Sequence, residues 1–548
     1  MLWLALLKFN RYRVNLYDAN VTGTVFATDG TRLFSFTLLV HAVDHVAVLQ
    51  INPPGAAAMV FLPDRAVPPV CSADPFATSA PSAGGDAGAA ESAGSAGAKR
   101  VGAAWGARQQ RSQAAAAEPT CQLSPSRTPG KTYQFNPNAS CTATSCQQKL
   151  LGGGDYAVAW GTHKSSTGTF LLTVANSMPA FIQQPDSALA IATATITRLA
   201  AADLPASLDA HRSWWHAYWP MHHISVPDTV LEQYYIIQFY KLASATRCDS
   251  ADNCFAYDLN GPWLEVSTIW ADYHYDLNTQ VAHWLTMPGN RLREGQSLVE
   301  MVARNHANLT RSAQECMPDA PAQHTPGGWC PPKPTSAAAN ASFADSAFLV
   351  TTCGPDMLNN GGWYGFSQKG SLPWICNNLW MTYRYSMNQT LLEEQVYPLL
   401  RQATNFYLGW LENRTDGRLH VPSSISPEYG SASDTAWDLS LLRWGLKTLI
   451  HIATDLLPHI PAPLLPAWRA TLQRLAPYQV DPVQGLMVGA GLPLAHGHRH
   501  WSNLFPIFPT YDLRWGQNAS QNDLINRSVS WWEHFHPTNG FTYAVRHN

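Results

Sequence analysis

Between Trp270 and Trp284 the chain reads Trp-Ala-Asp-Tyr-His-Tyr-Asp-Leu-Asn-Thr-Gln-Val-Ala-His-Trp. His274, Asp276 and Asn278 are spaced by two within it, and aromatic residues frame them. In an extended segment, residues two apart project to one side. The spacing therefore predicts that the imidazole, the carboxyl group and the amide converge on one cavity. About 150 residues on, Ser423-Ser424-Ile425-Ser426-Pro427-Glu428-Tyr429-Gly430 forms a proline-stiffened loop that presents a single carboxyl group. An acid on one side and a polar base cluster on the other is the equipment for cleaving a glycosidic bond. A loop glutamate in solvent is the plainer alternative for Glu428. For Asn278 the plainer role is to cap a helix beginning at Thr279, with Asp276 on the surface.

The elements that must position these groups change character along the chain. Residues 1–75 alternate as short strands, for example over 31–38 and 45–50, and the pattern resumes over 156–160 and 168–174. Residues 78–119 are rich in Ala, Gly and Ser without period and read as a disordered insertion. The expectation for residues 1–185 is a β-sandwich interrupted by that insertion. Residues 186–225 read as a linker. Beyond it the period becomes helical, over 228–246, 292–315, 390–412, 436–456 and 520–535, with long loops rich in Gly, Pro and Trp between. Helices in series with functional-looking residues in their loops predict an (α/α)6 helical toroid over 226–548. The fold class expected is thus multidomain, β followed by α.

Composition narrows the function. A formal charge of −3 over 548 residues offers no electrostatic footprint for nucleic acid or an anionic membrane. No run is long and apolar enough to span a bilayer. Tryptophan, at 21 residues, is about three times ordinary usage. Indole faces stack on sugar rings, although filling a large core is the commoner employment. Cysteines fall in close pairs, Cys141 with Cys146, Cys248 with Cys254 and Cys316 with Cys330. Their even count of ten and the lack of metal-type spacing favour disulfides and an oxidising compartment. Eight Asn-x-Ser/Thr sequons agree with a secreted or secretory-pathway location. The opening Met1–Leu7 is apolar but shorter than a secretory leader, and no cleavage site follows, so a lost N-terminus is expected. His496, His498 and His500 alternate, but no acidic or thiol ligand lies nearby in sequence, so no metal and no cofactor are expected there. Sugar hydroxyls are the natural partners for those imidazoles.

Four motifs in order give the chain a resemblance. Tyr275-Asp276-Leu277-Asn278-Thr279-Gln280, the helix Leu379-Trp380-Met381-Thr382-Tyr383-Arg384-Tyr385, the Pro422–Glu428 loop and His498-Arg499-His500-Trp501-Ser502-Asn503-Leu504 resemble glycoside hydrolase family 95, the inverting α-L-fucosidases and related L-sugar hydrolases. The resemblance spans roughly residues 155–545. It implies that Glu428 is the general acid and that Asn278 helps to activate the attacking water. It further implies that His274, His498 and His500 contact the sugar and that Trp374 lines the pocket; from the residues alone, Trp374 and Trp270 fit a sugar platform and the core equally. The partner expected is an oligosaccharide or glycoconjugate. Two departures stand out. The family's first paired asparagine is Asp276 here, and the family's later Asp motif has no counterpart before Asn548. The expectation is a chain truncated at both ends, with Asp276 partly standing in for the distal carboxylate. A glycan-binding pseudoenzyme is the alternative, and a polysaccharide lyase fits less well because its polyanionic substrates ask for a basic groove.

Overall fold

In the computed structural model the described residues are 9–26, 31–42, 44, 46–53, 137–150, 153–177, 186–249, 254–257, 273–315, 344–358 and 368–535. The insertion expected at 78–119, Cys316, Cys330 and Trp270 lie outside them.

Eight strands form one antiparallel sheet: β1 (Phe9–Asn15), β2 (Asn20–Phe26), β3 (Arg32–Val40), β4 (Val46–Asn52), β5 (Ser140–Cys141), β6 (Ser145–Lys149), β7 (Asp155–His163) and β8 (Ser166–Asn176). Their order is β1-β2-β3-β4-β8-β7-β6-β5. Strict alternation produces the register: Val46 and Val48 of β4 and Leu171 of β8 face one side, Leu49 and Ile51 the other. The strands expected over 31–38, 45–50, 156–160 and 168–174 are all present. The sandwich is met differently. Among the described residues the layer over the first face is a helix, α1 (Ala188–Ala200), whose Ala192, Ile196 and Leu199 pack on Leu39, Ala157 and Ala159. Gly161 admits that helix, since a Cβ there would meet Ile196 Cγ2 at 3.0 Å. Ser187 caps α1 by accepting from the Ala190 N–H, and Asp203 caps α2 (Leu204–Tyr218) in the same way. The stretch expected as a linker is therefore largely helical, because two Ser/Asp caps each precede an apolar-periodic run.

Buried Asp155 ties sheet to helix. It accepts from the Ala188 N–H at 2.9 Å and pairs with Lys149 at 3.0 Å. Burial opposes its charge, but these bonds and those from Ser177 and Gln147 outweigh it and hold the carboxyl well below the usual range.

Among the described residues beyond α2 the principal elements are helices: α3 (Thr229–Ala245), α4 (Asn278–Trp284), α5 (Leu292–Arg304), α6 (His306–Glu315), α7 (Ser371–Ser386), α8 (Tyr397–Trp410), α9 (Ala436–His451), α10 (Leu465–Arg474) and α11 (Ala519–His534). Each helical stretch expected from the period is present, with a break at Asn305 and π-helical turns at Leu392–Val396 and Ile452–Leu456. A core of Leu, Val, Phe and Trp side chains joins α5–α10. Disulfides close Cys141–Cys146, across the β5–β6 pair, and Cys248–Cys254. Cys353 and Cys376 are buried thiols.

Candidate active site

Glu428 sits at the tip of a β-hairpin. Strands β11 (Ser424–Ser426) and β12 (Gly430–Ala432) pair as Ser424↔Ala432 and Ser426↔Gly430, leaving Pro427-Glu428-Tyr429 as the loop. The Tyr429 N–H returns to the Ser426 carbonyl at 3.0 Å, which closes a turn with Pro427 at its second position and Glu428 at its third. Glu428 has φ of 50° there, the left-handed region that turns of this kind usually give to Gly. A carboxylate occupies a position where local energetics prefer glycine, a pattern concentrated at functional sites.

The hairpin is fastened from beneath. Asp438, fully buried on the first turn of α9, accepts from Tyr407 Oη at 2.6 Å, from Thr435 Oγ1 at 2.5 Å and from Ser424 Oγ. Its own N–H returns to Thr435 Oγ1 at 3.1 Å, the N-cap bond of α9. Burial raises the Asp438 carboxyl, against the three hydrogen bonds and nearby Lys369. Lys369 is itself buried over the Phe348 and Trp410 rings, and burial brings its ammonium down to about 7. On the other strand position, Ser426 Oγ donates to Ser502 Oγ at 2.7 Å, linking the hairpin to the segment that follows His500.

The His274–Asn278 segment is not extended throughout. Tyr273–His274 forms a short strand, β9, against β10 (Thr352–Cys353); residues 275–277 turn, and α4 begins at Asn278. Gln280 Nε2 donates to the Tyr275 carbonyl at 2.7 Å and so folds the segment back on itself. The i, i+2 spacing is thus realised by a strand end, a turn and a helix start. Asn278 is the first helical residue rather than the cap. The cap position is Leu277, which offers no side-chain bond, and the Asn278 amide makes no hydrogen bond among the described residues. Capping does not occupy it.

The third contributor is the loop 496–500. His496 stacks on the Tyr429 ring at 4.6 Å, while His498 meets Tyr429 and His500 edge-on at 5.8 and 5.2 Å. Tyr429 Oη accepts from the Ala495 N–H at 2.6 Å, which fixes this loop against the Glu428 turn. Arg499 pairs with the Glu428 carboxylate, and His500 Nε2 lies 3.9 Å from Glu428 Oε2. Sequence neighbours of Glu428 carry no charge, so this partner is supplied by tertiary structure; Trp437, nine positions on, packs on Trp374 and Phe505. Burial, with His498 and Arg499 adding repulsion, brings His500 down to about 3, so the ring is neutral at physiological pH. Burial also lowers His498, helped by His496.

Three separate segments therefore meet. Asp276, Glu428 and His500 bring one ligating atom each within 4.8 Å of one another. Asp276 is 5% exposed, far from the surface residue of the plainer reading. Its burial raises the carboxyl, against His274 and Arg499. Trp374 has no exposed surface and stands edge-on to Trp437 and Phe505, at 5.3 and 4.7 Å, within a hydrophobic cluster, a core position and not an open pocket wall. Gly370 permits this packing, because a Cβ there would meet Trp437 Nε1 at 1.7 Å. Sequence reasoning did not single out Asp438, Ser424 or Lys369. The Thr435-x-x-Asp438 capping spacing was the available signal for the first; nothing local marks the other two.

Known proteins bear on this site. The glycosyl hydrolase family 95 catalytic domain matches residues 226–532, more than half the chain. Alpha-L-fucosidase 2 of Arabidopsis thaliana is 25% identical over 270 residues, which cover 47% of this chain and 28% of that protein. The probable alpha-fucosidase A of Aspergillus niger is 22% identical over 298 residues, 50% of this chain and 33% of the relative. These matches span about a third or less of the relatives' lengths. A putative kojibiose phosphorylase from human microbiome superposes with a TM-score of 0.55 at 8% identity, covering 97% of this chain and 69% of that one, a likeness of fold alone. With its catalytic-domain match spanning the hairpin of Glu428, the helix of Asn278 and the loop of His500, the chain belongs to glycoside hydrolase family 95.

Proposed function

We propose that this protein is a glycosidase that removes terminal α-L-fucose, or a related L-sugar such as L-galactose, from oligosaccharides or glycoconjugates by inverting hydrolysis. The observation that carries the reading is Glu428, held in a strained turn and facing a buried polar cluster from two other segments. In this reading Glu428 protonates the leaving oxygen, and Asn278, its amide uncommitted, aligns the attacking water. An amide is a poor base by itself, and Asp276 two residues earlier supplies the polarising charge. His274, His498 and His500 hydrogen-bond sugar hydroxyls; Trp374 supports the pocket from behind, and Trp270 is a candidate platform. The route needs two side chains and water, without metal or cofactor.

The resting geometry sets conditions on that mechanism. Inverting carboxyl pairs stand roughly 6.5–9.5 Å apart so that sugar and water fit between them. Asp276 and Glu428 oxygens lie within 4.8 Å, so the substrate has to part them. Arg499 must also release Glu428 before a proton can be delivered, and sugar hydroxyls are ready acceptors for the freed guanidinium. The catalytic unit in this reading is the helical region 226–548, arranged as an (α/α)6 toroid, with residues 1–185 as a β domain. Secretion fits the two disulfides, and among the described residues no helix is long and apolar enough to cross a membrane. One observation favours a glycan-binding pseudoenzyme instead: the Arg499 pair already occupies the proposed acid.

The test is release of L-fucose from a 2-linked fucosyl oligosaccharide by wild type and by Glu428→Gln, with the anomer of the first product read by NMR. Release of the inverted anomer, lost in the variant, supports the reading. Binding without turnover by folded wild type would make the protein a glycan binder.

A further inference from the structure

Two carboxyl groups and a neutral imidazole converge on one point at the candidate active site, and that set has chemistry of its own. We propose that Asp276, Glu428 and His500 form a three-ligand site for a divalent transition ion such as Zn2+ or Co2+, which plugs the resting site by taking the Glu428 carboxylate as a ligand. The blocking role rests on the glycosidase reading; the ion binding does not.

The geometry is close to what such an ion needs. Ligand oxygens and nitrogens at about 2.0–2.2 Å from a tetrahedral zinc stand about 3.5 Å from one another. The three atoms here lie within 4.8 Å, and His500 Nε2 is 3.9 Å from Glu428 Oε2, so closure by little more than an ångström completes the set. β9 and α4 hold Asp276, while Tyr429 and the Ser426–Ser502 bond fasten the His500 loop to the hairpin that holds Glu428, so two separately anchored bodies face each other across the site. His500 is 6% exposed, its ring hydrogen-bonds the Pro427 backbone, and its Nδ1 is a buried polar atom without a partner. One imidazole with two carboxylates selects a borderline ion over Mg2+ or Ca2+, which prefer all-oxygen sites of higher coordination number. Three protein ligands leave a fourth position open, as in catalytic rather than structural zinc sites.

Arg499 is the competitor. Its guanidinium supplies the positive charge that Glu428 now faces, and at 45% exposed it has solvent to swing into when an ion arrives. Metal and arginine therefore exclude each other at Glu428. Removing the arginine tightens the ion's hold, a direction opposite to that of losing a ligand.

The experiment is titration of the full chain, without substrate, with ZnCl2 by calorimetry and with CoCl2 by its visible d–d bands. Folding of every variant is checked by circular dichroism. Wild type is expected to bind one ion per chain. Asp276→Asn keeps the shape, removes a buried charge and weakens binding at least tenfold; Arg499→Ala tightens it severalfold; His496→Ala, outside the triad, leaves it unchanged. The proposal falls if folded wild type binds no stoichiometric ion or if Asp276→Asn binds as wild type does. It falls equally if affinity follows His496, or if Arg499→Ala fails to tighten it. Because no sugar is present, these outcomes stand apart from any failure to release fucose.

Discussion

Replacing Glu428 by glycine should abolish function while making the fold more stable than the alanine variant does. The left-handed backbone at φ 50° costs a residue with a Cβ about 1–2 kcal/mol, and Gly nothing. Gly gives back roughly 0.5–1 kcal/mol through the greater freedom of its unfolded chain. Both variants lose the Arg499 pair equally, and an ion pair with so exposed an arginine contributes about 0–1 kcal/mol. The pair therefore cancels in the comparison. Glu428→Gly should exceed Glu428→Ala by about 0.5–1 kcal/mol, a shift of roughly 1–3 °C in a cooperative unit of this size. Differential scanning calorimetry of both variants at one scan rate reads the difference, and fucose release is measured beside it. If alanine proves equal to or more stable than glycine, the turn does not carry the strain assigned to it. If the glycine variant still releases fucose at the wild-type rate, Glu428 is not the acid.

Three further outcomes follow from the surroundings of the site. Ser424→Ala removes one of three donors to buried Asp438 and loosens the strand that leads to Glu428. It should cost about 1–3 kcal/mol and lower kcat more than it raises KM; an unchanged kcat would show that the strut does not position the acid. Lys369 sheds its proton near 7 in the folded chain, whereas an unfolded lysine holds it to about 10.4. The unfolded state thus binds the extra proton across that window, so stability rises with pH through it. Lys369→Met should lack that rise, seen as a wild-type thermal midpoint that gains on the variant between pH 7 and 9.5; parallel curves would refute the assignment. Expressed in a glycosylating host, Asn308 should stay unmodified, because its Nδ2 donates to the Asp356 carbonyl at 2.9 Å. Asn388 and Asn518 use only Oδ1 to cap helices and leave Nδ2 free. Site occupancy by peptide mass spectrometry checks both, and an occupied Asn308 would show that this bond opens during maturation.

Patterns of period two and 3.6 mark the strands of the sheet and five helical stretches from 228 onward, but not α10, because an element that buries one face repeats its apolar residues at its own period. They did not show that α1 covers the sheet. Helix and second sheet both satisfy an apolar face, and only the caps at Ser187 and Asp203 distinguish them locally. Asp276, Asn278 and Glu428 were visible as chemistry from residue type and motif order. Strand alternation is not what places Asp276: a turn and a helix start follow β9, and Asp276 reaches Glu428 and His500 from that turn. The Arg499 pair and the approach of Asp276 to Glu428 have no local signature, and the Asp438 strut shows only the cap spacing of Thr435. The first two join residues 71 (499 − 428) and 152 (428 − 276) positions apart, and contacts at such separation depend on how helices and loops pack. Sequence by itself determined which groups are available and which elements carry them, since propensity and periodicity act over a few residues. Tertiary structure alone decided their partners, burial and distances, since charge and desolvation act through space rather than along the chain.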